Sequence, residues 1–339
     1  MDNVSDETLV VAVSARSLFD LEEDHQFFEK YGAKRYIERQ LELESVPFKQ
    51  GATFPLVRGL LDMNNGRPEG SGLLVEVVVV SSMPPDTGLR IIQTAKHHNL
   101  TIRRAAFTGG GDSIPYLHAF NTKLFLTKSA KDAQRAINSG IASAVMSNVP
   151  ENIEQKNDGI VRIAFDGDAV IFSDESEKIN QTSGVRAFND HEAGKARVPM
   201  QFGPHGELLV ALGKLQKLIP EKLRIALVTA RGGPAHERTL VTLRSWGIRI
   251  NEAAFLGGLP KTEFLRAFGA QIFFDDQQKN IEKASRFVPS GHVPSRSGRI
   301  EKPEINKELI SEITEKTVVD LNGLDKTQEN YHGFRGRRP

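Results

Sequence analysis

The chain contains no cysteine among its 339 residues, so disulfide bonds, thiolate catalysis and zinc sites built on cysteine are excluded. It also lacks an excess of either charge, since a formal net charge of +1 gives no general attraction to nucleic acid or to an anionic membrane. The longest apolar stretch, residues 73–80, is far too short to cross a bilayer. The acidic start of the chain does not have the basic and apolar pattern of a signal peptide. We therefore expect a cytoplasmic protein without nucleic-acid or membrane partners.

The most informative pattern is an apolar run, residues 163–165 (Ile-Ala-Phe), that leads directly into Asp166-Gly167-Asp168. In open α/β sheets, ligands bind where buried strands open into loops. Two carboxylates so close would repel each other and raise one pKa unless a cation lies between them. The motif therefore indicates a divalent metal site, a nucleophile beside an acid/base, or both. Taken alone, it is more typical of a solvated turn or a helix cap.

Three later apolar segments also end in reactive polar residues. The first ends in Thr229-Ala230-Arg231, the second leads to Lys261, and the third ends in Asp275-Asp276. If these segments are parallel strands, the side chains at their ends surround one crevice. Individually, the threonine could cap a helix, the lysine could lie on the surface, and the acid pair could cap a helix beginning near residue 277. Together they predict an active site.

The order Asp-x-Asp, Thr, Lys, Asp-Asp, between about residues 160 and 295, resembles the haloacid dehalogenase-like phosphohydrolase superfamily. A closer likeness spans nearly the whole chain and is to the cytosolic 5'-nucleotidase I family. Its segments are Leu18–Glu23, Gly51–Val57, Pro85–Arg90, Arg104–Gly110 and Thr242–Gly247. The resemblance implies a Mg²⁺-dependent hydrolase of nucleoside 5'-monophosphates, with AMP favoured and deoxypyrimidine monophosphates left open. It also implies a Rossmann-like fold with a cap over the active site.

The resemblance also implies residue roles. Asp166 is expected to attack phosphorus and form an aspartyl-phosphate, and Asp168 to protonate the leaving oxygen and then activate water. Mg²⁺ is expected on Asp166, on the main-chain carbonyl of Asp168 and on Asp275, with Asp276 as a second ligand or support. The expected phosphate-binding residues are Thr229, Ala230 and Lys261.

The residues that recognise the substrate are harder to predict. A purine needs an aromatic or apolar surface and a few polar contacts. Phe172, Phe202 and His205 lie in or beside the expected cap and are candidates, although a core phenylalanine is the commoner case. Arg231 and Arg238 are candidates for phosphate or ribose contacts, with a structural role as the alternative for Arg238.

The first half of the chain looks like a degenerate copy of the second. Residues 75–136 align without a gap with residues 223–284, so that Arg90 falls on Arg238. The motif residues differ, and only a hydroxyl is kept. Ser14, Arg16, Ser81, Ser113, Thr127 and Lys128 replace Asp166, Asp168, Thr229, Lys261, Asp275 and Asp276, respectively. The first half should therefore be catalytically inactive and serve as a scaffold, an interface or a regulatory nucleotide site.

Alternating apolar and helical patterns, in a chain that is 39% hydrophobic, predict an α/β protein with Rossmann-like parallel sheets and helices on both faces. The sequence leaves open whether the two duplicated halves share one sheet or pack as two lobes, and we favour two lobes about a pseudo-twofold axis. The expected organisation is an inactive half at 1–150 with an insertion at 20–72, a catalytic half at 151–295 with a cap insertion at 174–220, and a C-terminal helix with a flexible basic tail at 296–339. The expected strands are 9–13, 75–81, 104–107, 123–126 and 142–146, then 161–165, 224–229, 252–256, 271–274 and 286–288.

Other functions are compatible with parts of the pattern. A phosphatase of sugar phosphates or other small phosphomonoesters is the nearest alternative, and a non-catalytic nucleotide sensor is another. A receiver domain also uses acids, Thr and Lys, but there the Thr and Lys follow the phospho-acceptor and no second acid pair comes after the Lys. The sequence leaves open whether the chain binds an allosteric nucleotide or forms a homo-oligomer.

Overall fold

The computed structural model describes residues 8–68, 70–151, 156 and 158–296. The predicted C-terminal helix and basic tail therefore lie outside the described residues, apart from residue 296. Within the described part, none of the helices is long and apolar enough to cross a membrane.

The described elements alternate between strands and helices, as predicted. The strands of the first half are β1 Leu9–Val13, β2 Phe19–Asp20, β3 Lys49–Gln50, β4 Val75–Ser81, β5 Arg104–Phe107, β6 Leu124–Thr127 and β7 Ala142–Met146. Its helices are α1 Ala15–Leu18, α2 Glu22–Glu42, α3 Phe54–Asp62, α4 Pro85–His97, α5 Ile114–Ala119 and α6 Ala130–Asn138. The strands of the second half are β8 Val161–Phe165, β9 Leu223–Thr229, β10 Glu252–Phe255, β11 Ile272–Asp275 and β12 Ser290–His292. Its helices are α7 Glu175–Gly194, α8 Gly206–Leu218, α9 Ala235–Ser245, α10 Thr262–Phe268 and α11 Gln278–Ala284.

Ten of these strands form one continuous sheet, in the order β10-β9-β8-β11-β12-β7-β6-β1-β4-β5. All neighbours are parallel except β12 and β7, which pair antiparallel through Gly291 with Met146 and His292 with Val145. The expectation of two separate lobes is wrong, because this pairing joins the halves edge to edge. The strand order nevertheless reads the same from either end once each strand is matched to its counterpart, which is the arrangement that a pseudo-twofold axis produces.

Both faces of the sheet are covered, because its strands are apolar at consecutive positions and side chains alternate between faces. Along β1, Val11 and Val13 belong to the core on the side of α3 and α8, whereas Val10 and Ala12 pack with residues of α5 and α6. The predicted fold class is confirmed. The tenth predicted strand is misplaced: it lies at Ser290–His292 instead of 286–288.

The structural correspondence between the halves extends into both predicted insertions, where the sequences differ. The long helices α2 and α7 are each interrupted by a glycine with a positive φ, Gly32 at 77° and Gly184 at 81°, which are 152 positions apart. Arg90 donates to the main-chain oxygen of Val46 at 2.9 Å, and Arg238 donates in the same way to Val198 at 3.0 Å. Each half thus carries a kinked helix anchored by a buried arginine.

Candidate active site

The predicted polar residues meet at the carboxyl edge of three adjacent strands, β9, β8 and β11. Asp166 follows β8, Thr229 ends β9 and Asp275 ends β11. Lys261, which directly precedes α10, reaches into this edge. Its Nζ atom lies 2.8 Å from Asp166 Oδ1 and 2.6 Å from Asp275 Oδ2. The structure therefore brings together the four sequence motifs.

The turn after Asp166 is tight and shaped by its small residues. The main-chain N–H of Phe172 donates to Gly167 O at 3.0 Å, which closes a single π-helical turn over Gly167–Ile171. Within it, Ala169 has a φ of 58°, a left-handed conformation that costs a non-glycine residue about 1 kcal/mol. A Cβ atom on Gly167 would lie 3.0 Å from Thr229 Oγ1, so glycine lets β8 and β9 deliver their polar ends side by side.

Three carboxylates at this edge fit a divalent cation. One oxygen from each of Asp166, Asp275 and Asp276 lies within 4.8 Å of the others. Asp276 Oδ1 is buried and has no hydrogen-bond partner. Hard oxygen ligands with an uncompensated negative charge are the donor set that Mg²⁺ prefers. Asp275 is already oriented, because its Oδ1 accepts from the main-chain N–H of Gln277 at 2.7 Å, so it also holds the start of α11.

The protonation of this cluster reflects burial and mutual repulsion. Burial and the charge of Asp166 raise the pKa of Asp275 to about 6. Burial, Asp166 and Asp275 raise the pKa of Asp276 to about 8. Burial lowers the pKa of Lys261, but Asp166 and Asp275 outweigh it and the net shift is upward, so the ammonium stays charged. The site therefore contains one permanent cation, the Lys261 ammonium, and an acid cluster whose negative charge favours the binding of a second cation.

Asp168 does not join that cluster through its carboxylate. Its two oxygens accept from Arg231, Oδ2 from Nε at 2.8 Å and Oδ1 from Nη2 at 2.6 Å. Burial raises the pKa of Asp168, and Arg231 opposes that shift only in part. A raised pKa suits a group that must donate a proton near neutral pH. The main-chain carbonyl of Asp168 remains the predicted metal ligand.

Arg231 and Arg238 belong to a buried ion-pair network that ties α7 to the sheet. Glu192 of α7 is fully buried and lies between them, accepting from Arg231 on one oxygen and from Arg238 at 2.7 Å on the other. Arg238 also lies 3.3 Å from Glu175. These contacts match the structural role that was the alternative prediction for Arg238. Arg231 connects α7 with Asp168. Glu192 was missed in the sequence because its partners are 39 and 46 positions away.

A cavity of about 450 Å³ opens beside Asp168 and is covered by α7. Ala230, Arg231 and the glycine-rich loops after β9 and β10 form its floor. The residues that α7 contributes to its wall are Glu177, Asn180, Val185, Phe188 and Asn189. Helix α7, which lies in the predicted cap insertion, thus forms one wall of this cavity, and Phe188 is its half-buried aromatic residue.

The three aromatic residues predicted to bind substrate lie elsewhere among the described residues. Phe172 is fully buried, and the 40% exposed Phe202 packs against Trp246 with ring centroids 4.3 Å apart. His205 is completely buried, and its Nε2 atom lies 3.0 Å from Ser143 O, across the junction of the halves. Burial lowers the pKa of His205 to about 4, so it is a neutral core residue. Neither Phe172, Phe202 nor His205 lines the cavity.

Comparison with known proteins agrees with this geometry. The 5'-nucleotidase family matches residues 1–299. Human Cytosolic 5'-nucleotidase 1B (Homo sapiens) is 36% identical over 290 residues, an alignment that covers 82% of this chain and 47% of the human protein. The chain thus spans about half the length of this relative. The predicted resemblance is confirmed, and the chain belongs to the cytosolic 5'-nucleotidase I family.

Proposed function

We propose that this chain hydrolyses nucleoside 5'-monophosphates to nucleoside and phosphate in a Mg²⁺-dependent reaction, with AMP as the favoured substrate. The observation that carries the proposal is the cluster of Asp166, Asp275 and Asp276, of which the first two contact the Lys261 ammonium, near a cavity of about 450 Å³ that Asp168 lines. A cavity of this size is in the range of small-molecule sites. Membership of the family supports the reaction, and the name of the human relative, a cytosolic enzyme, supports a cytoplasmic location.

The bound Mg²⁺ would neutralise the acid cluster and the phosphate so that the two can approach each other. Asp166 is oriented by two donors to the same oxygen, since Oδ1 accepts from the main-chain N–H of Gly167 at 2.7 Å and lies 2.8 Å from Lys261 Nζ. We therefore assign the attack on phosphorus to Asp166 Oδ2. The new bond joins this oxygen to phosphorus as the bond from phosphorus to the ribose O5' breaks.

Asp168 completes the two half-reactions. In the first, its protonated carboxyl gives a proton to the departing O5', and the nucleoside leaves. In the second, the same carboxylate takes a proton from a water that attacks the aspartyl-phosphate, which releases phosphate and restores Asp166. Thr229, Ala230 and Lys261 line the position of the phosphoryl oxygens and stabilise their increasing negative charge.

The proposal is tested by measuring phosphate release from AMP, other nucleoside monophosphates and sugar phosphates, with Mg²⁺ or with EDTA. We expect release from AMP or a related nucleotide in Mg²⁺ and none in EDTA, because without the cation the acid cluster repels the phosphate dianion. Release from sugar phosphates alone would support the catalytic residues and contradict the nucleotide as the substrate. Absence of turnover with every substrate would favour the nucleotide sensor.

Phe188 is the residue we propose to contact the base. It projects from α7 into the cavity wall, and its ring lies 5.6 Å from the Arg231 guanidinium. The arginine thereby supports the ring from one side and holds Asp168 with its donors. An aromatic surface of this kind stacks on any base, so it recognises the nucleoside without selecting one base.

We expect Phe188→Ala to raise KM for AMP about tenfold, the equivalent of about 1.4 kcal/mol of lost contact, and to change KM for p-nitrophenyl phosphate much less. The matched control is Phe202→Ala, since Phe202 is also an aromatic residue of the insertion but lies outside the cavity. Michaelis constants for both substrates decide the question. Equal increases for the two substrates in Phe188→Ala, or a selective increase in Phe202→Ala, would contradict this assignment.

A further inference from the structure

The first half contains a cavity of its own at the position equivalent to the active site. It measures about 240 Å³ and opens at the carboxyl ends of β1, β4 and β6. Its walls include the six residues that replace the catalytic motifs: Ser14, Arg16, Ser81, Ser113, Thr127 and Lys128. The first half therefore keeps a crevice at this position, lined by side chains that differ chemically from those of the second half.

The exchange converts an acidic crevice into one rich in hydrogen-bond donors. Two cations, Arg16 and Lys128, stand where Asp168 and Asp276 stand in the second half, and hydroxyl groups replace the other acids. The acid that lines this cavity, Asp132, lies in the first turn of α6. No group of three metal-ligating side chains lies there in the described residues, so the cavity does not offer the acid cluster that the second half offers a divalent cation.

Two buried donors in this crevice have no partner. The side chain of Ser113 is 6% exposed, lines the cavity and makes no hydrogen bond through Oγ. Arg16 pairs with Glu22 through Nη2 at 3.3 Å, but its buried Nε has no acceptor. Buried donors without acceptors are rare, because leaving them unpaired destabilises a fold. An oxyanion in the cavity would accept from both.

The two cations lie close enough to repel each other, with Glu22 and Asp20 as the nearby acids. Burial lowers the pKa of Lys128 and the nearby charge of Arg16 lowers it further, whereas Glu22 and Asp20 oppose the shift only in part. Lys128 donates to the amide oxygen of Asn148, which carries no charge. A negative ligand between Arg16 and Lys128 would relieve their repulsion. Arg16 and Lys128 also line an adjoining cavity of about 230 Å³, whose wall includes the apolar Leu21 and Val149 and the acids Asp20 and Glu22.

We propose that this cavity of the inactive half is a second ligand site, which binds the phosphate group of a small phosphate-bearing molecule directly, without a metal ion. Arg16 and Lys128 supply the charge, and Ser113 supplies a hydroxyl donor. Guanidinium and ammonium groups with convergent hydroxyls are the usual ligands of phosphate in proteins. The ligand is either inorganic phosphate or a nucleotide whose organic part occupies the adjoining cavity.

The test is calorimetric titration of inorganic phosphate, and separately of AMP, into the full chain in EDTA. Under these conditions the uncompensated acids of the catalytic site repel phosphate, and no turnover is involved. We expect binding that Arg16→Met and Lys128→Met each weaken at least about tenfold. The matched control is Lys123→Met, because Lys123 is an exposed lysine at the opposite end of β6. Its phosphate affinity should equal that of the unaltered chain.

Ser113→Ala gives a second readout that does not depend on removing a charge. We expect it to raise the melting temperature without phosphate, since it deletes an unpaired buried hydroxyl, and to reduce the increase in melting temperature that phosphate causes. Tighter binding of AMP than of phosphate, lost in Lys128→Met, would identify a nucleotide as the ligand; equal affinities would identify phosphate. Absence of binding in EDTA, or binding unaffected by Arg16→Met and Lys128→Met, would overturn the proposal and leave the nucleotidase proposal untouched.

Discussion

Replacing Asp166 with asparagine is expected to lower kcat for AMP by a factor of about 10⁴ or more, because an amide cannot attack phosphorus. The substitution also removes the charge that faces Lys261 Nζ at 2.8 Å and one of the three carboxylates of the metal cluster. The shape of the side chain is kept, and the hydrogen bond from the Gly167 N–H to its Oδ1 can still form. Phosphate release in Mg²⁺ gives kcat, and circular dichroism with thermal unfolding checks the fold.

Two comparisons make this result decisive. Asp158→Asn is the same substitution at the other end of β8, where the exposed Asp158 pairs with Arg162 at 2.6 Å, and it should leave kcat unchanged. Asp166→Ala should be as inactive as Asp166→Asn, and it guards against deamidation of the Asn-Gly pair that the first variant contains. Activity of Asp166→Ala within tenfold of the unaltered chain would exclude Asp166 as the nucleophile.

The catalytic motifs were readable from sequence because they follow buried parallel strands. Such strands have uninterrupted apolar runs, so the point where Phe165 gives way to Asp166, or Phe274 to Asp275, marks the edge of the sheet. The last strand of the second half was misplaced because Ser290–His292 has no apolar run. It is specified by close packing instead, since a Cβ on Gly291 would lie 2.8 Å from the Cβ of Ala144. That three-residue strand joins the halves, so the error in its predicted position prevented the prediction of one sheet shared by both halves.

The residues that we propose to bind substrate were harder to predict from sequence, because their position depends on how α7 folds back over the sheet. The helix is interrupted at Gly184, so its apolar residues do not follow one helical period. The position of Phe188 depends on the buried contacts that Glu192, on the same helix, makes with Arg231 and Arg238. These two arginines follow β9 in the chain, far from α7 in sequence. Phe202 and His205 are as aromatic or polar as Phe188, and only the tertiary structure separates them. The catalytic roles of Asp166, Asp168, Thr229 and Lys261 stay predictions until variants are measured.

Asp168→Asn is expected to lower steady-state kcat for AMP by about 10² to 10⁴, the usual contribution of a general acid–base group. The effect of Asp168→Asn on the first half-reaction should depend on the leaving group of the substrate. The ribose O5' must receive a proton to leave, whereas p-nitrophenolate is a stable anion that leaves without one. The asparagine keeps a hydrogen bond to Arg231, which Glu192 continues to neutralise, so the cap helix should stay in place.

Stopped-flow measurement should therefore separate the roles of Asp168. With p-nitrophenyl phosphate, Asp168→Asn should release one equivalent of p-nitrophenolate per active site in a fast burst and then turn over slowly, because the water that attacks the aspartyl-phosphate has lost its base. With AMP, no burst of adenosine should appear, because the first half-reaction has lost its acid. Glu177→Gln, a change to another acid of the same cavity, should give no such difference between substrates. A burst with both substrates would show that Asp168 is only the base, and an unchanged rate with AMP would remove it from the mechanism.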